Sequence, residues 1–324
     1  MKLVIPLAIG IAIVAACLVL TVWNERRASG ASDLRSRITA ELLDISAERI
    51  TDEVEGRFVR IVGTTSAGAD VREPILGQHA PVLRLDRIVE TAQWQERQIV
   101  TQGGRDLVYE VVWSAIRIDS SRFRDGGGAH PNPPLRIQSE KLLAPTPKLG
   151  AWSAEPAVWH AIPATETWML PEQVSAEGIG PLRRFGEWWW SGNPERPAPG
   201  DVRLHYRTVP HGVVTMIGRA ASGRITAPVD EVGNALPLAG RGDLPPQDIV
   251  GEAGKVATIE AWKVRALALA GFLLGSLILA STMKRFAPEV LGRFVAHVPS
   301  FGGTIGMLVW LASSITIWLL FRLR

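Results

Sequence analysis

The sequence predicts a membrane protein of mixed α+β class. In it, one N-terminal and two C-terminal transmembrane helices flank a large β-rich domain outside the membrane. Two observations predict this class. Residues 3–23, 262–283 and 303–321 form apolar segments of roughly the ~20 residues that cross a bilayer core. Several stretches of the long region between the first two segments alternate apolar and polar residues, as half-buried strands do.

The second apolar segment gives the clearest signal, because it carries no charge from residue 266 to residue 283. Its ends carry side chains that favour the water–lipid boundary, where tryptophan rings and the long stems of Lys and Arg are stabilised. The predicted boundary residues of the three spans are Trp23, Trp262, Lys263, Arg265, Lys284, Arg285 and Trp318.

These segments divide the chain into an anchor helix (1–24), a β-rich domain that begins with a helix (25–261) and a C-terminal membrane region (262–324). Residues 286–299 are too polar to cross a bilayer. Their charged and apolar positions lie on opposite faces of a helix, which predicts an amphipathic helix in the membrane surface.

Within the domain, changes of period and Gly/Pro-rich stretches predict the elements. In the first half of the domain we expect a helix at 32–55, a strand at 58–62 that stops at Gly63, and a long hairpin of 82–96 with 107–118 that turns at 102–104. A loop at 125–134 and an irregular stretch at 144–171 follow. The second half is predicted to contain a short helix at 172–185, a meander of strands at 201–209, 212–220 and 224–227, and a helix at 246–261 that runs directly into the second span.

Charge and cysteine content exclude several classes. The net charge is only +3, from 35 Lys and Arg against 32 Asp and Glu, and the basic residues are scattered, so no nucleic-acid-binding surface is predicted. The single cysteine, Cys17, allows no disulfide within the chain. Residues 14–17 resemble a lipoprotein processing site, but the apolar run continues to Trp23, so we expect an uncleaved anchor.

The most distinctive polar motif is His-Pro-Asn-Pro at residues 130–133. As a functional site, His130 would exchange protons and Asn132 would stabilise an oxyanion. As a structural feature, Asn132 would cap a turn before a proline, and this reading is favoured. Trp188 and Trp189, within a run of three tryptophans, are further candidate binding residues, with core packing and the headgroup layer as equal alternatives.

Small residues in the spans predict close helix packing. Gly271 and Gly275 have the GxxxG spacing, and Gly302 and Gly306 repeat it. Packing within the chain and self-association are equally compatible with that spacing. Alanines at 8, 12 and 16 form a similar ridge on the first span. No span has a charge at its centre, which disfavours a conducting role.

The histidines of the domain, at 79, 130, 160, 205 and 211, have no metal-ligand spacing, and no nucleophile elbow, phosphate loop or dinucleotide fingerprint is present. We therefore expect no metal, no cofactor and no catalytic residue.

Several stretches together resemble the transmembrane protein 43 (LUMA) family. They are Glu-Gly-Arg at 55–57 with Val-Gly at 62–63, residues 83–96 with Ile-Val-Glu-Thr-Ala-Gln-Trp-Gln-Glu at 88–96, Trp113, Ser-Arg-Phe at 121–123, the motif at 130–133, residues 193–203 with Gly-Asp-Val-Arg at 200–203, Val-Thr-Met-Ile-Gly-Arg at 214–219 and Ala-Trp-Lys-Val-Arg at 261–265. Their order and spacing match over nearly the whole chain.

The resemblance implies a multi-pass protein of internal membranes, with the large domain in the lumen and the N-terminus in the cytosol. Members of the family look like self-associating membrane organisers without established catalysis. Two departures stand out. The family usually has tyrosine where this chain has Ala92, and it usually adds a fourth span after the segment that matches 318–322, so we expect the two termini on opposite sides.

The predicted topology rests on the resemblance, because a count of positive residues contradicts it. More Lys and Arg flank the spans on the side of the large domain than on the other, which by itself places that domain in the cytoplasm. Following the resemblance, we expect a multi-pass protein of the cell membrane with an extracytoplasmic domain.

These observations predict a non-enzymatic membrane scaffold that self-associates into a homo-oligomer. It would contact membrane lipid and unidentified protein partners, but no nucleic acid. The alternative is a membrane-anchored enzyme that processes a lipid or another ligand, with a site near His130 and Asn132.

Overall fold

A computed structural model of the chain describes residues 4–101 and 104–286. The fold is α+β and contains the helices α1 (Val4–Glu41), α2 (Pro156–Ala161) and α3 (Pro246–Phe286). Two compact units make up the chain. One contains α1, α3 and residues 227–238, and the other contains residues 44–226 and 239–244.

Within residues 4–101 and 104–286, α1 and α3 are long and apolar enough to cross a membrane. The predicted spans at 3–23 and 262–283 coincide with these two helices. The predicted third span at 303–321 and nearly all of the interfacial helix at 286–299 lie outside the described residues. The helix expected at 246–261 does run directly into the second span, since α3 is continuous over 41 residues.

The α1 helix is also continuous for 38 residues, and at ~1.5 Å per residue it is roughly twice as long as a bilayer core is thick. The helix predicted at 32–55 is therefore wrong in its second half. The chain leaves the helix after Glu41 and forms strand β1 (Leu43–Ser46). The residues of β1 alternate in burial, a period-two pattern that outweighs the helical spacing of Leu42 and Ile45.

α1 and α3 pack against each other as an antiparallel pair. Buried positions recur every seven residues on both helices, at Gly10, Cys17 and Asn24 on α1 and at 261, 268, 275 and 282 on α3. This repeat is typical of helices that wind around one another. The alanines at 8, 12 and 16 are exposed, so the ridge that they were predicted to form is not part of the contact with α3. They lie on another face of the helix from Gly10 and Cys17.

The second unit contains two larger sheets and a small hairpin. The seven-stranded sheet has the order β1-β2-β15-β16-β9, with β17 beside β15 and β8 beside β2. Its strands are β1, β2 (Phe58–Ser66), β8 (Lys148–Leu149), β9 (Ser153–Ala154), β15 (Val213–Ala221), β16 (Arg224–Thr226) and β17 (Leu238–Arg241). The hairpin pairs β3 (Val71–Glu73) with β4 (Gln78–Ala80).

The eight-stranded sheet has the order β11-β12-β13-β14-β5-β6, with β10 beside β14 and β7 beside β5. Its strands are β5 (Arg84–Thr101), β6 (Gly104–Ser114), β7 (Glu140–Leu143), β10 (Glu166–Thr167), β11 (Gln173–Ala176), β12 (Gly180–Phe185), β13 (Trp188–Trp190) and β14 (Val202–Val209). One face of this sheet carries a hydrophobic core that includes Leu85, Leu204 and Tyr206, closed by Val71 and Ala80 of the small hairpin.

The predicted long hairpin is confirmed as β5 and β6, which pair from Thr91 with Ser114 to Thr101 with Gly104. Residues 125–134 contain no helix or strand, as predicted, and residues 144–171 hold only α2 and two-residue strands.

Three local predictions are wrong. The helix expected at 172–185 is the hairpin β11–β12, because Gly178 takes a positive φ of 76° in the turn and Val174 pairs with Leu182. The meander is incomplete, since β15 and β16 pair with each other but β14 belongs to the other sheet. β2 does not stop at Gly63. A Cβ there would lie 2.5 Å from Cβ of Ala47, so glycine serves close packing at this position.

Candidate functional site

The predicted polar motif lies in a loop, residues 119–134, that is tied to strand β5. Asn132 is 8 % exposed, and its side chain bonds only to main-chain atoms. Its Oδ1 accepts from the Trp94 N–H (2.6 Å), while its Nδ2 donates to the carbonyl oxygens of Trp94 (2.8 Å) and Ile118 (3.2 Å). Both amide hydrogens are therefore in use, so Asn132 has no donor left for a substrate oxyanion.

Gln93 reinforces the same connection from the adjacent position of β5. Its side chain is fully buried, accepts from the Ile118 N–H (2.7 Å) and donates to the Ile116 carbonyl (3.0 Å). Together, Gln93 and Asn132 satisfy both main-chain groups of Ile118. No local pattern in the sequence indicates this role of Gln93, because the pairing depends on how the loop lies against β5.

His130 is held by aromatic rings and one carboxylate. Its ring stacks on Tyr109 with 3.9 Å between centroids, and Trp94 meets it edge-on at 4.8 Å. Its Nδ1 lies 2.8 Å from Oδ2 of Asp125, and this hydrogen bond is the main cause that lowers the pKa of Asp125. The ring is only a quarter exposed. The arrangement could move a proton. The Oγ of Ser120 accepts the main-chain N–H of Asn132 (3.1 Å), which ties the motif to residue 120.

The three adjacent tryptophans divide between the two faces of β13. Trp189 is fully buried in the core, and its Nε1 donates to the Pro171 carbonyl (2.9 Å). A side chain with no exposed surface cannot meet a ligand, so the candidate binding role of Trp189 is corrected to core packing. Trp188 is half-buried and Trp190 largely buried on the opposite face.

Arg203 is the centre of that opposite face. Its guanidinium carbon lies 4.4 Å from the ring centroid of Trp188, 4.8 Å from Trp113 and 5.2 Å from Trp190. Glu90, its cross-strand partner, accepts from Nε at 2.6 Å. Aromatic faces attract a guanidinium, and three rings with a carboxylate satisfy it. The tryptophan cluster is thus already occupied by an internal cation. The position of Arg203 among the tryptophans follows from the pairing of the strands and cannot be read from the sequence.

The predicted boundary tryptophans lie at the same level of the helix pair. Trp23 and Trp262 are both exposed. The adjacent residues just outside the two spans are joined by a hydrogen bond from Asn24 Nδ2 to the Ala261 carbonyl (3.2 Å). Each ring is covered by an arginine, Arg27 over Trp23 at 5.6 Å and Arg265 over Trp262 at 4.9 Å. One membrane boundary would contain both rings.

Arg265 also forms an ion pair between the two helices, which the sequence pattern of neither helix indicates. Its Nε and Nη2 bond both carboxylate oxygens of Glu25, at 2.7 and 2.9 Å, and Glu25 is 6 % exposed. Lys263 instead pairs with Glu260 along α3 (2.7 Å). Lys284 and Arg285 belong to the last turn of α3. Trp318, Gly302 and Gly306 lie outside the described residues.

The glycine pair at 271 and 275 faces α1 of the same chain. A Cβ on Gly271 would lie 2.6 Å from Sγ of Cys17, and one on Gly275 would lie 2.9 Å from Cγ2 of Val14 and 3.2 Å from the Gly10 carbonyl oxygen. Any larger side chain would push the helices apart. The structure therefore uses these glycines for packing within the chain.

Residues 4–101 and 104–286 contain no group of three His, Cys, Asp or Glu side chains placed to hold a metal ion.

Comparison with known proteins identifies relatives. The family model described as Transmembrane protein 43 matches residues 89–323. Transmembrane protein 43 of Mus musculus and that of Homo sapiens are each 24 % identical over 272 residues, which cover 78 % of this chain and 68 % of the relative. The Drosophila melanogaster protein named Transmembrane protein 43 homolog is 23 % identical over 258 residues, covering 74 % of this chain and 67 % of the relative. No solved structure matches.

Proposed function

Since the chain belongs to the transmembrane protein 43 family, we propose that it is a membrane-anchored scaffold. In this proposal, α1 and α3 hold the protein in the bilayer, and its β-rich domain offers a surface to protein or lipid partners. Family membership and the two apolar helices support a membrane protein. The scaffold role is a more specific proposal than membrane attachment, and it rests on the hydrogen bonding of the motif at residues 130–133.

One observation carries the choice of a scaffold over an enzyme. The side-chain oxygen and both amide hydrogens of Asn132 form hydrogen bonds with the main chain of Trp94 and Ile118. An oxyanion site needs donors that are free to meet the developing charge. This bonding supports a structural role for the motif, in which it fixes the shape of the loop.

The proposal includes self-association of the scaffold into a homo-oligomer. Gly271 and Gly275 are engaged with α1, so the contact between copies would use the outward faces of the two helices. Ile9 on α1 and Leu267 and Leu274 on α3 are each about half exposed or more. In a bilayer these faces would meet lipid or another copy of the chain.

The same proposal places the large domain outside the cytoplasm of a multi-pass protein of the cell membrane. The family resemblance supports this orientation. The opposing count of Lys and Arg has less weight here, because long domains translocate largely regardless of their charge.

The scaffold proposal is tested by weighing the full-length protein in patches of its native membrane. The patches would be cut out with an amphipathic polymer and analysed by mass photometry at several expression levels. We expect masses that are multiples of the chain, alone or with one reproducible partner. A monomer at every expression level would contradict the proposal.

His130→Gln serves as the matched variant in that experiment. It removes the only titratable group of the motif at residues 130–133 and retains a polar side chain of similar size. A scaffold should show the same mass distribution with and without the substitution. A loss of assemblies in a variant that remains folded would instead assign His130 a direct role in the assembly.

A further inference from the structure

The face of the eight-stranded sheet opposite its hydrophobic core contains a cleft that no part of the scaffold proposal uses. Its volume is about 570 Å³, within the range of small-molecule sites. One wall is apolar and runs from Ala161 through Pro163 to Ala164, with Ile88 facing it. The charged part of the lining comes from strands β5, β7 and β14, and His160 of α2 lies beside it.

The cleft is lined by more basic side chains than acidic side chains. Arg84 is neutralised by Asp86, whose two oxygens it binds through Nε (2.7 Å) and Nη2 (3.0 Å). Arg87 is neutralised by the buried Glu73 at 2.8 Å and by Glu140 at 2.7 Å. These two arginines and three carboxylates are already paired with one another and together carry one negative charge, so neither arginine is free to pair with a ligand.

Lys141 and Arg207 are left over. In the part of the chain that the structure describes, neither has a carboxylate within ion-pair distance, and both are exposed. Lys141 makes one long contact, from Nζ to the His160 carbonyl oxygen (3.4 Å). Two positive charges therefore face the cleft without a partner.

The strand register places these two cations on either side of Asp86. Asp86 of β5 pairs with Lys141 of β7 on one side and with Arg207 of β14 on the other. Directly opposed residues have Cβ atoms ~5 Å apart, so the two cations are separated by about 10 Å across β5. Their long side chains can converge on one anion between them.

The pKa of His160 is affected by the same positive charges. Burial lowers the pKa of His160 first, and the charges of Arg84 and Lys141 lower it further, against a smaller opposing effect of Asp86. A neutral imidazole at the rim can donate a hydrogen bond to an anion without adding charge.

We propose that this cleft binds a phosphate monoester, with Lys141 and Arg207 on the phosphate and the apolar wall of residues 161–164 under the organic part. A phosphate monoester carries about two negative charges near neutral pH, which matches two unpaired cations. Arginine binds phosphate oxygens through its planar fork, and lysine does so as a point charge. The phosphate belongs either to a soluble metabolite or to the headgroup of phosphatidic acid, and the experiment separates these sources.

The test uses pyridoxal 5′-phosphate on the full-length protein in phosphatidylcholine nanodiscs. Its aldehyde condenses with a lysine amine and releases water, and borohydride then supplies the hydride that reduces the imine to a stable amine. Peptide mass spectrometry compares Lys141 with Lys148, an exposed lysine of the same unit. We expect Lys141 to be modified ~10-fold more than Lys148, the ratio that corresponds to one strong charge-assisted contact.

Two controls decide whether the phosphate directs the reaction. Pyridoxal, which lacks the phosphate, should show no preference for Lys141. Arg207→Gln should remove the preference, while Arg224→Gln, an exposed arginine of the other sheet, should retain it. Equal modification of Lys141 and Lys148 by pyridoxal 5′-phosphate, or an unchanged preference in Arg207→Gln, would overturn the proposal.

Protection identifies the source of the ligand. Protection of Lys141 by glycerol 3-phosphate assigns the cleft to soluble phosphate esters. Protection only when phosphatidic acid is included in the nanodisc assigns it to a lipid headgroup. Failure of both to protect would show that lysine reactivity, rather than a phosphate site, causes the selectivity, and would overturn the proposal.

Discussion

At the scale of single residues, the side chains of Gln93 and Asn132 form their hydrogen bonds with the main chain. Gln93 bonds to main-chain groups of Ile116 and Ile118, Asn132 bonds to those of Trp94 and Ile118, and both side chains are almost completely buried. A buried donor or acceptor that loses its partner costs free energy. At this scale, the residues most distinctive in the sequence determine the shape of a loop.

Asn132→Ala should therefore destabilise the domain. The substitution removes three hydrogen bonds and leaves main-chain groups of Trp94 and Ile118 buried without partners. We expect the free energy of unfolding to fall by ~2–3 kcal/mol. Denaturant titration of the full-length protein in detergent, followed by tryptophan fluorescence, measures it.

Asn193→Ala is the matched control. Asn193 is exposed and makes one side-chain bond, in which its Oδ1 accepts from the Glu195 N–H (2.9 Å). Its loss should cost less than ~1 kcal/mol. Equal effects of the two substitutions would show that the loop is not held by Asn132.

We expect His205 to make the stability of the domain dependent on pH. It is 5 % exposed, and its Nε2 has no hydrogen-bond partner among the residues that the structure describes. Burial lowers the pKa of His205 from its usual 6.5, with Arg207 acting in the same direction and Glu187 opposing. Below that pH the unfolded chain takes up a proton that the folded chain resists. The free energy of unfolding is thus highest above pH 6.5 and falls as the pH drops towards the folded pKa.

Unfolding measured from pH 8 to pH 5 checks this dependence. His205→Gln cannot be protonated and should reduce the loss of stability at acidic pH. His160 retains part of the effect, since its pKa is lowered as well. His211→Gln, an exposed histidine, should leave the wild-type profile unchanged. An identical profile for His205→Gln would refute the assignment.

At the scale of elements, α1 and α3 form the contact with the clearest geometric requirement. The two helices approach at Gly10, Gly271 and Gly275, where a Cβ would already be too close to its neighbours. Small residues allow such approach, and van der Waals packing then stabilises the pair in lipid. Whether the GxxxG spacing serves this pair or a second copy can be tested with one substitution.

Gly271→Cys should crosslink to Cys17 within a single chain. A Cβ at residue 271 would lie 2.6 Å from Sγ of Cys17, so a small shift brings two sulfur atoms to bonding distance. Under mild oxidation we expect a faster-migrating monomer in gel electrophoresis. Gly275→Cys, one turn further along α3 and facing Val14, should not form this link. A crosslinked dimer from Gly271→Cys would assign the spacing to self-association.

For the whole molecule, the side of the membrane that holds the β-rich domain is the main open property of the proposal. Ser175→Cys provides a probe, because Ser175 is exposed on β11 and the substitution is almost isosteric. The native Cys17 is buried against α3 and should react poorly. An extracytoplasmic domain predicts labelling of Ser175→Cys by a membrane-impermeant maleimide in intact cells. Labelling only after the membrane is opened would place the domain in the cytoplasm.

The sequence by itself determined the features that depend on local composition. Uncharged apolar runs identified the regions of α1 and α3, since only a hydrocarbon environment favours that composition over so many residues. Alternation identified the long hairpin of β5 and β6, and Gly/Pro content identified the loop at 125–134. Local patterns were insufficient at residues 172–185, where a turn at Gly178 and pairing with β12 decided for a hairpin.

Only the tertiary structure decided what the distinctive residues do. Arg203 meets three tryptophans, Asn132 meets Trp94, and Lys141 and Arg207 flank Asp86 because strands that are far apart in sequence lie side by side. Sequence spacing describes neighbours within one helix or strand, whereas these contacts depend on the register between strands. Likewise, the contact of α1 with α3 at every seventh residue becomes evident only when the two helices are paired, although the residues of each helix are known from the sequence.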